Sequence, residues 1–123
     1  MTLFIDVENK KLVQSLTSDR NVPAPVFMQG DNEPLEIFLL QKGRESLYEV
    51  KPLVVGTDFL RVAIARFKGY PKSLTYADGY ALNPNGGAEV VLPLNTTAIE
   101  NALQESEYIT AFLEVEYSDT AGR

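Results

Sequence analysis

The sequence predicts a mainly β chain, an antiparallel β-sandwich of about seven to eight strands with one short helix, in a single domain over residues 1–123. Three observations predict it. Apolar and polar residues alternate with a period of two in several short stretches, which is the pattern of half-buried strands. Clusters of Gly, Asn, Asp and Pro separate those stretches. Helical signals occur once, late in the chain, so a doubly wound α/β fold is disfavoured. With 45% apolar residues the chain can fill one core.

Leu3-Phe4-Ile5-Asp6-Val7-Glu8 has the β-branched and aromatic content of a strand, and Asn9-Lys10-Lys11 turns it. Leu12, Val13 and Leu16 mark a second short strand. From Asp19 to Pro25 a loop is expected, because Pro23 and Pro25 remove two ladder donors. Val26-Phe27-Met28-Gln29 reads as a strand stopped by Gly30-Asp31-Asn32. Leu35-Glu36-Ile37-Phe38-Leu39-Leu40 follows, apolar on both faces at its far end, as a strand inside a two-layer core is. Pro52 places the mixed stretch after Leu47 at an edge or a break. In Phe59–Phe67, Leu60, Val62 and Ile64 share one face. Ala63 and Ala65 lie on the other between Arg61 and Phe67, which suggests that something packs there.

Residues 69–87 are irregular, with a short strand expected around Leu74–Tyr76 or Tyr80–Leu82. After the Asn85-Gly86-Gly87 turn, Val90, Leu92 and Leu94 share a face. Thr97-Ala98-Ile99-Glu100 fits a capping box with Thr97 at the N-cap, and predicts a helix over 97–106. The clearest strand comes last. Ile109, Ala111, Leu113, Val115 and Tyr117 alternate with Tyr108, Thr110, Phe112, Glu114 and Glu116.

Composition excludes more than it assigns. The chain has no His and no Cys. Cys/His zinc sites, thiol and Ser-His nucleophiles, His-ligated haem and disulfides all need one or the other. The longest apolar runs, Ile37–Leu40 and Val62–Ala65, fall far short of the ~20 residues of a membrane helix and the ~7–15 of a secretory signal. A soluble, cytoplasmically made chain without a membrane partner is expected. A net charge of -6 argues against nucleic acid. That charge is uneven: residues 1–87 carry ten acids and ten bases. Residues 88–123 carry Glu89, Glu100, Glu105, Glu107, Glu114, Glu116 and Asp119 against Arg123 alone. Either a solvated face or an acidic docking patch on the helix and last strand follows.

No enzyme class emerges. Glu114 and Glu116 stand ~7 Å apart along one strand face, whereas glycosidase carboxylates normally come from separate elements across a cleft. Asp31-Asn32-Glu33 offers fewer ligands than a calcium loop needs, and reads as a turn held by side-chain bonds. Asn95-Thr96-Thr97 matches a glycosylation sequon, but its hydroxyls suit helix capping better. Gly86-Gly87 lacks the Lys and Ser/Thr of a phosphate loop. No catalytic residue, metal or cofactor is therefore expected.

Contact surface remains. Tyr70, Tyr76 and Tyr80 combine rigid amphipathic rings with glycine-rich loops, as contact surfaces do. Phe38, Tyr108 and Phe112 are expected on partly outward strand faces, where self-association or another protein would cover them. Together with Glu114 and Glu116 these residues form the expected interface. Exposed tyrosines leave a carbohydrate-binding sandwich as an alternative.

The order Val26-Phe27-Met28-Gln29-Gly30-Asp31, then Leu35-Glu36-Ile37, resembles the opening of N-terminal domains of upper-baseplate and tail-fibre-associated proteins of tailed bacteriophages. Val90-Val91-Leu92-Pro93-Leu94-Asn95-Thr96, a short helix and Phe112-Leu113-Glu114-Val115-Glu116-Tyr117 resemble their ending, so the resemblance spans most of the chain. It implies a non-enzymatic β-sandwich virion protein that joins other virion structural proteins, commonly as a closed homo-oligomer. Such relatives usually continue into a coiled coil and a receptor-binding domain. Without these, a connector or adaptor of the tail, baseplate or fibre attachment region is expected, with a capsid decoration or head-fibre protein as the alternative.

Overall fold

The computed structural model of the chain describes residues 1–23, 25–30, 32–67, 73–104, 109 and 111–118. In chain order these form β1 (Thr2–Asp6), β2 (Lys11–Ser15), β3 (Ser18–Asn21), β4 (Glu33–Lys42), β5 (Tyr48–Val50), β6 (Phe59–Ala65), β7 (Ser73–Ala77), β8 (Ala81–Leu82), β9 (Ala88–Leu92), α1 (Thr97–Ala102) and β10 (Phe112–Ser118). The strands make a seven-stranded sheet in the order β3-β2-β1-β4-β9-β8, with β5 also on β4, and a three-stranded sheet in the order β10-β6-β7. The two pack as a β-sandwich.

β4 is the axis of the larger sheet. Its odd positions Leu35, Ile37 and Leu39 and its even positions Phe38 and Leu40 are all at most 8% exposed, so both faces are covered. The odd face meets Leu60, Val62 and Ile64 of β6 and Ala88, Val90 and Leu92 of β9 in the inter-sheet core. Leu3 and Ile5 of β1 join it because they stand in register with Ile37 and Leu39. Burying each such side chain is worth about 1.5–3 kcal/mol, so this larger cluster supplies most of the apolar stabilisation.

The even face builds a second, smaller cluster. Phe38 and Leu40 pack there with Val13 and Tyr48, flanked by Phe4, Leu16 and Val50. Phe4 and Phe38 sit opposite each other in register and stack with ring centroids 5.2 Å apart. The β4–β5 hairpin brings Tyr48 onto this face, and the Tyr48 amide donates to the Leu16 carbonyl at 3.0 Å.

Several sequence expectations change. The pairing of β1 with β4 is parallel, while the other seven described pairings are antiparallel. β3 lies where a loop was expected, as a polar strand completing a hairpin with β2. Val26–Gln29 is not a strand; Phe27 packs on the inter-sheet core while Val26 and Met28 stay exposed. A short apolar run there adds to no ladder. α1 is shorter than expected and starts one residue early: Thr96 is the N-cap, accepting from the Ile99 amide at 3.2 Å. The Thr96 hydroxyl also donates to the Leu74 carbonyl at 2.7 Å, tying the helix to β7. That second bond decides which threonine caps.

Candidate contact face

The outer face of the three-stranded sheet follows from alternation. Since Leu60, Val62 and Ile64 enter the core, Arg61, Ala63 and Ala65 face away from it. Register then sets Glu116 beside Arg61, Glu114 and Tyr76 on either side of Ala63, and Phe112 beside Ala65. Four expected interface residues, Tyr76, Phe112, Glu114 and Glu116, thus share one surface. Tyr76 is 54% exposed and Phe112 43%, with Phe59 at 41% at the far end of β6. The two alanines, by contrast, are essentially inaccessible.

Arg61 organises this face. Its Nε lies 3.1 Å from Asp78 and its Nη1 3.5 Å from Glu116. The guanidinium sits 4.9 Å from the Tyr76 ring centroid, and Nη2 donates to the Ser73 hydroxyl at 3.4 Å. One cation therefore links all three strands and fixes the tyrosine ring from its face. Each exposed ion pair is worth only ~0–1 kcal/mol, so the network orients the surface more than it stabilises the fold. Glu114, half-buried beside Ala63, has no ion-pair partner among the described residues. Arg61 was visible in the sequence as a charge alternating with Leu60 and Val62. Its role needed the cross-strand register, which the sequence does not carry.

Phe38 is not on an outward face, contrary to expectation. At 8% exposure it is inside the second cluster, stacked on Phe4, because β4 is covered on both faces. Tyr80 is half-buried against the inter-sheet core rather than presented to a partner. Its hydroxyl donates to the carbonyls of Asp58 at 2.9 Å and Val54 at 3.3 Å. Burial, helped by the Asp58 carboxylate, pushes the Tyr80 hydroxyl pKa up. Tyr70 and Tyr108 lie outside the described residues, as do Glu105, Glu107 and Asp119.

The expected acidic patch is divided among the acids that are described. Glu89 stands exposed on β9 of the larger sheet and Glu100 on α1, whereas Glu114 and Glu116 share the outer face of the smaller sheet, with Glu116 already paired. Asp31 of the Asp-Asn-Glu turn lies outside the described residues, and Glu33 enters β4 opposite Leu92. No group of three or more His, Cys, Asp or Glu side chains gathers among the described residues. No described helix is long and apolar enough to cross a membrane.

A buried carboxylate lies elsewhere, at the end of β1. Asp6, 2% exposed, accepts from the amides of Glu8 at 3.1 Å and Asn9 at 3.0 Å, the Asn9 side-chain amide at 2.8 Å and the Tyr48 hydroxyl at 2.8 Å. Burial alone would raise its pKa. Bonds from the Asn9 amide, the Asn9 side chain, Tyr48 and Glu8 outweigh burial and hold it below the usual carboxylate value. The bond to Asp6, with burial and the charges of Asp6 and Asp19, pushes the Tyr48 hydroxyl up to about 12. With both oxygens saturated by the turn and by Tyr48, Asp6 is built to hold structure.

Comparison with known protein families, with curated proteins and with solved structures finds no match to this chain.

Proposed function

We propose that this chain is a non-enzymatic structural protein working through protein–protein contacts, made in a host cytoplasm and built into a phage virion as a connector or adaptor of the tail, baseplate or fibre attachment region. The observation that supports a contact role is the outer face of the three-stranded sheet. Tyr76 and Phe112 stand exposed there on regular strands, and Arg61 holds the Tyr76 ring while bridging to Glu116 and Asp78. Rigid aromatic rings beside an oriented arginine are the side chains that dominate protein interfaces, because they lose little freedom on association. The virion setting is drawn from the resemblance of Val26–Asp31 with Leu35–Ile37, and of Val90–Thr96 with Phe112–Tyr117, to upper-baseplate and tail-fibre-associated domains.

The test is incorporation. Particles purified from a host expressing the gene should carry the protein in constant proportion to tail or baseplate components. A Tyr76→Ala, Phe112→Ala double variant should remain folded and be missing from them. A wild-type protein that never co-purifies with particles overturns the virion setting, and a double variant that assembles normally overturns the assigned face.

A further inference from the structure

Half-buried apolar residues rim the inter-sheet core on both sides, Leu74, Ala77 and Tyr80 on the β7 side among them. β7 packs over the β9 side of the larger sheet, where Thr75 is buried with its hydroxyl bonded to the Pro93 carbonyl at 2.5 Å. The order β10-β6-β7 therefore places β10 toward the β1–β2 side. There, Leu113 and Val115 of β10 and Ile5, Val7 and Leu12 of the larger sheet face the core but are only half-buried. The larger sheet continues past β1 to β2 and β3, while from Leu113 to Glu116 the outer edge of β10 pairs with no described strand.

We propose that this edge accepts a fourth strand: an extended segment of a partner protein, apolar at alternate positions and basic at those between. This rests on the contact-protein reading and names the chemistry of its partner. Added beside β10, such a strand would turn its apolar residues inward over Val115 and Leu12, covering the half-buried seam while its backbone takes the edge groups that no described strand takes. Its other face would lie beside Glu114 and Glu116, where directly opposed side chains on neighbouring strands approach within ~4.5–5.5 Å. Glu116 already shares Arg61 with Asp78, and Glu114 has no ion pair among the described residues, so lysine or arginine is the complement. A second copy fits worse. Fully overlapped two-fold pairing of β10 with itself sets Glu114 against Glu116 of the other copy, and opposed like charges destabilise a sheet.

The experiment uses the full chain and two synthetic ten-residue peptides, one alternating Lys and Val, the other alternating Glu and Val. Amide hydrogen exchange is followed by NMR at low and high salt. In an antiparallel pair alternate amides point away from the neighbour, so the β10 amides not taken by β6 are the reporters. The Lys-Val peptide should slow their exchange at low salt and lose that effect at high salt; the Glu-Val peptide should not protect them. Glu114→Gln with Glu116→Gln should abolish the difference between peptides. Unchanged β10 exchange, equal protection by both peptides, or protection confined to another strand overturns the proposal. If β10 stays unprotected while the Tyr76/Phe112 double variant still loses incorporation, the strand proposal alone fails. If both experiments fail, the contact-protein reading fails with it.

Discussion

The hydroxyl of Tyr48 donates to Oδ2 of Asp6 at 2.8 Å across 42 residues of chain, locking the β4–β5 hairpin onto the turn that leaves β1. Oδ1 of the same carboxylate holds the Glu8 and Asn9 amides, so one buried acid sets both the β1–β2 turn and the position of Tyr48 in the second apolar cluster. The acid is tolerated inside because its charge is fully hydrogen-bonded.

This pair gives the protein a pH signature at each extreme. The folded-state pKa of Tyr48 is about 12 against an ordinary value of 10.0, so the bond's contribution is full below pH 10 and is lost as pH rises toward 12. Asp6 has the opposite sense. Its folded pKa is lowered, so its contribution is present above the ordinary carboxylate value and is lost as pH falls through the lower folded one. Tyr48→Phe should lower the melting temperature at neutral pH and flatten its decline between pH 10 and 12. Thermal melts of both proteins across that window check it. Because Tyr80 is also shifted upward, the difference between the two proteins, not the wild-type curve, isolates Tyr48.

Gly87 should be irreplaceable where Gly79 is not. A Cβ at Gly87 would fall 2.9 Å from Cγ of Glu36 and 3.0 Å from Cζ of Phe38. Phe38 cannot retreat because it is stacked on Phe4, and Glu36 is held by the Asn83 side-chain amide at 2.7 Å. Gly87→Ala should therefore cost about 1–3 kcal/mol, the usual range for overpacking. At Gly79 nothing lies within 4 Å and φ is not in the left-handed region. Gly79→Ala should be neutral or stabilise by up to about 1 kcal/mol through the unfolded chain. Urea unfolding of the two variants measures both.

The difference between Phe38 and Phe112 shows what was legible. Alternation separated each residue from the inter-sheet face of its strand, but the expected outward exposure holds for Phe112 alone, since the face of β4 that carries Phe38 is covered. What covers that face is Tyr48, brought back by a hairpin whose strand is only three residues long, and Val13 from a hairpin neighbour of β1. The strand of Val13 has a local signal, but the three-residue strand of Tyr48 does not, and nothing local says that the two meet over β4. The same holds for the site. Tyr76, Phe112, Glu114 and Glu116 are legible by their chemistry, while their meeting around Arg61 depends on a β10–β6–β7 register that brings Glu116 to Arg61 across 55 residues of chain. The parallel β1–β4 pair was invisible for a related reason: alternation reports which side chains point inward, not which neighbour a strand takes or in what direction.

The helix cap offers a sharp check of one corrected detail. Thr96 satisfies the Ile99 amide and bonds the Leu74 carbonyl, while Thr97 is the first helical residue. Thr96→Ala should cost about 0.5–2 kcal/mol, the range for losing an N-cap, and should loosen α1 from β7. Thr97→Ala should stay within about 0.5 kcal/mol. Equilibrium unfolding gives both values; a larger loss at Thr97 would restore the capping box with Thr97 at its head.

Two phenylalanines of equal chemistry should respond to truncation in opposite ways. Phe38 sits in a closed cluster with Leu40, Val13 and Tyr48, so Phe38→Ala leaves a cavity that the stacked Phe4 cannot fill. The expected cost is about 3–5 kcal/mol, a large share of the stability of a domain this size. Phe112, at 43% exposure on the outer face of β10 beside Ala65, is far less buried than Phe38. Phe112→Ala should cost only about 1 kcal/mol of stability, well below Phe38→Ala, and its main cost should fall on association. Urea unfolding of both variants, read beside their incorporation into particles, separates the two roles. Phe38→Ala should fail in the first measurement, and Phe112→Ala chiefly in the second. A Phe112→Ala protein that unfolds as readily as Phe38→Ala would make the outer aromatic part of the core and remove it from the contact face.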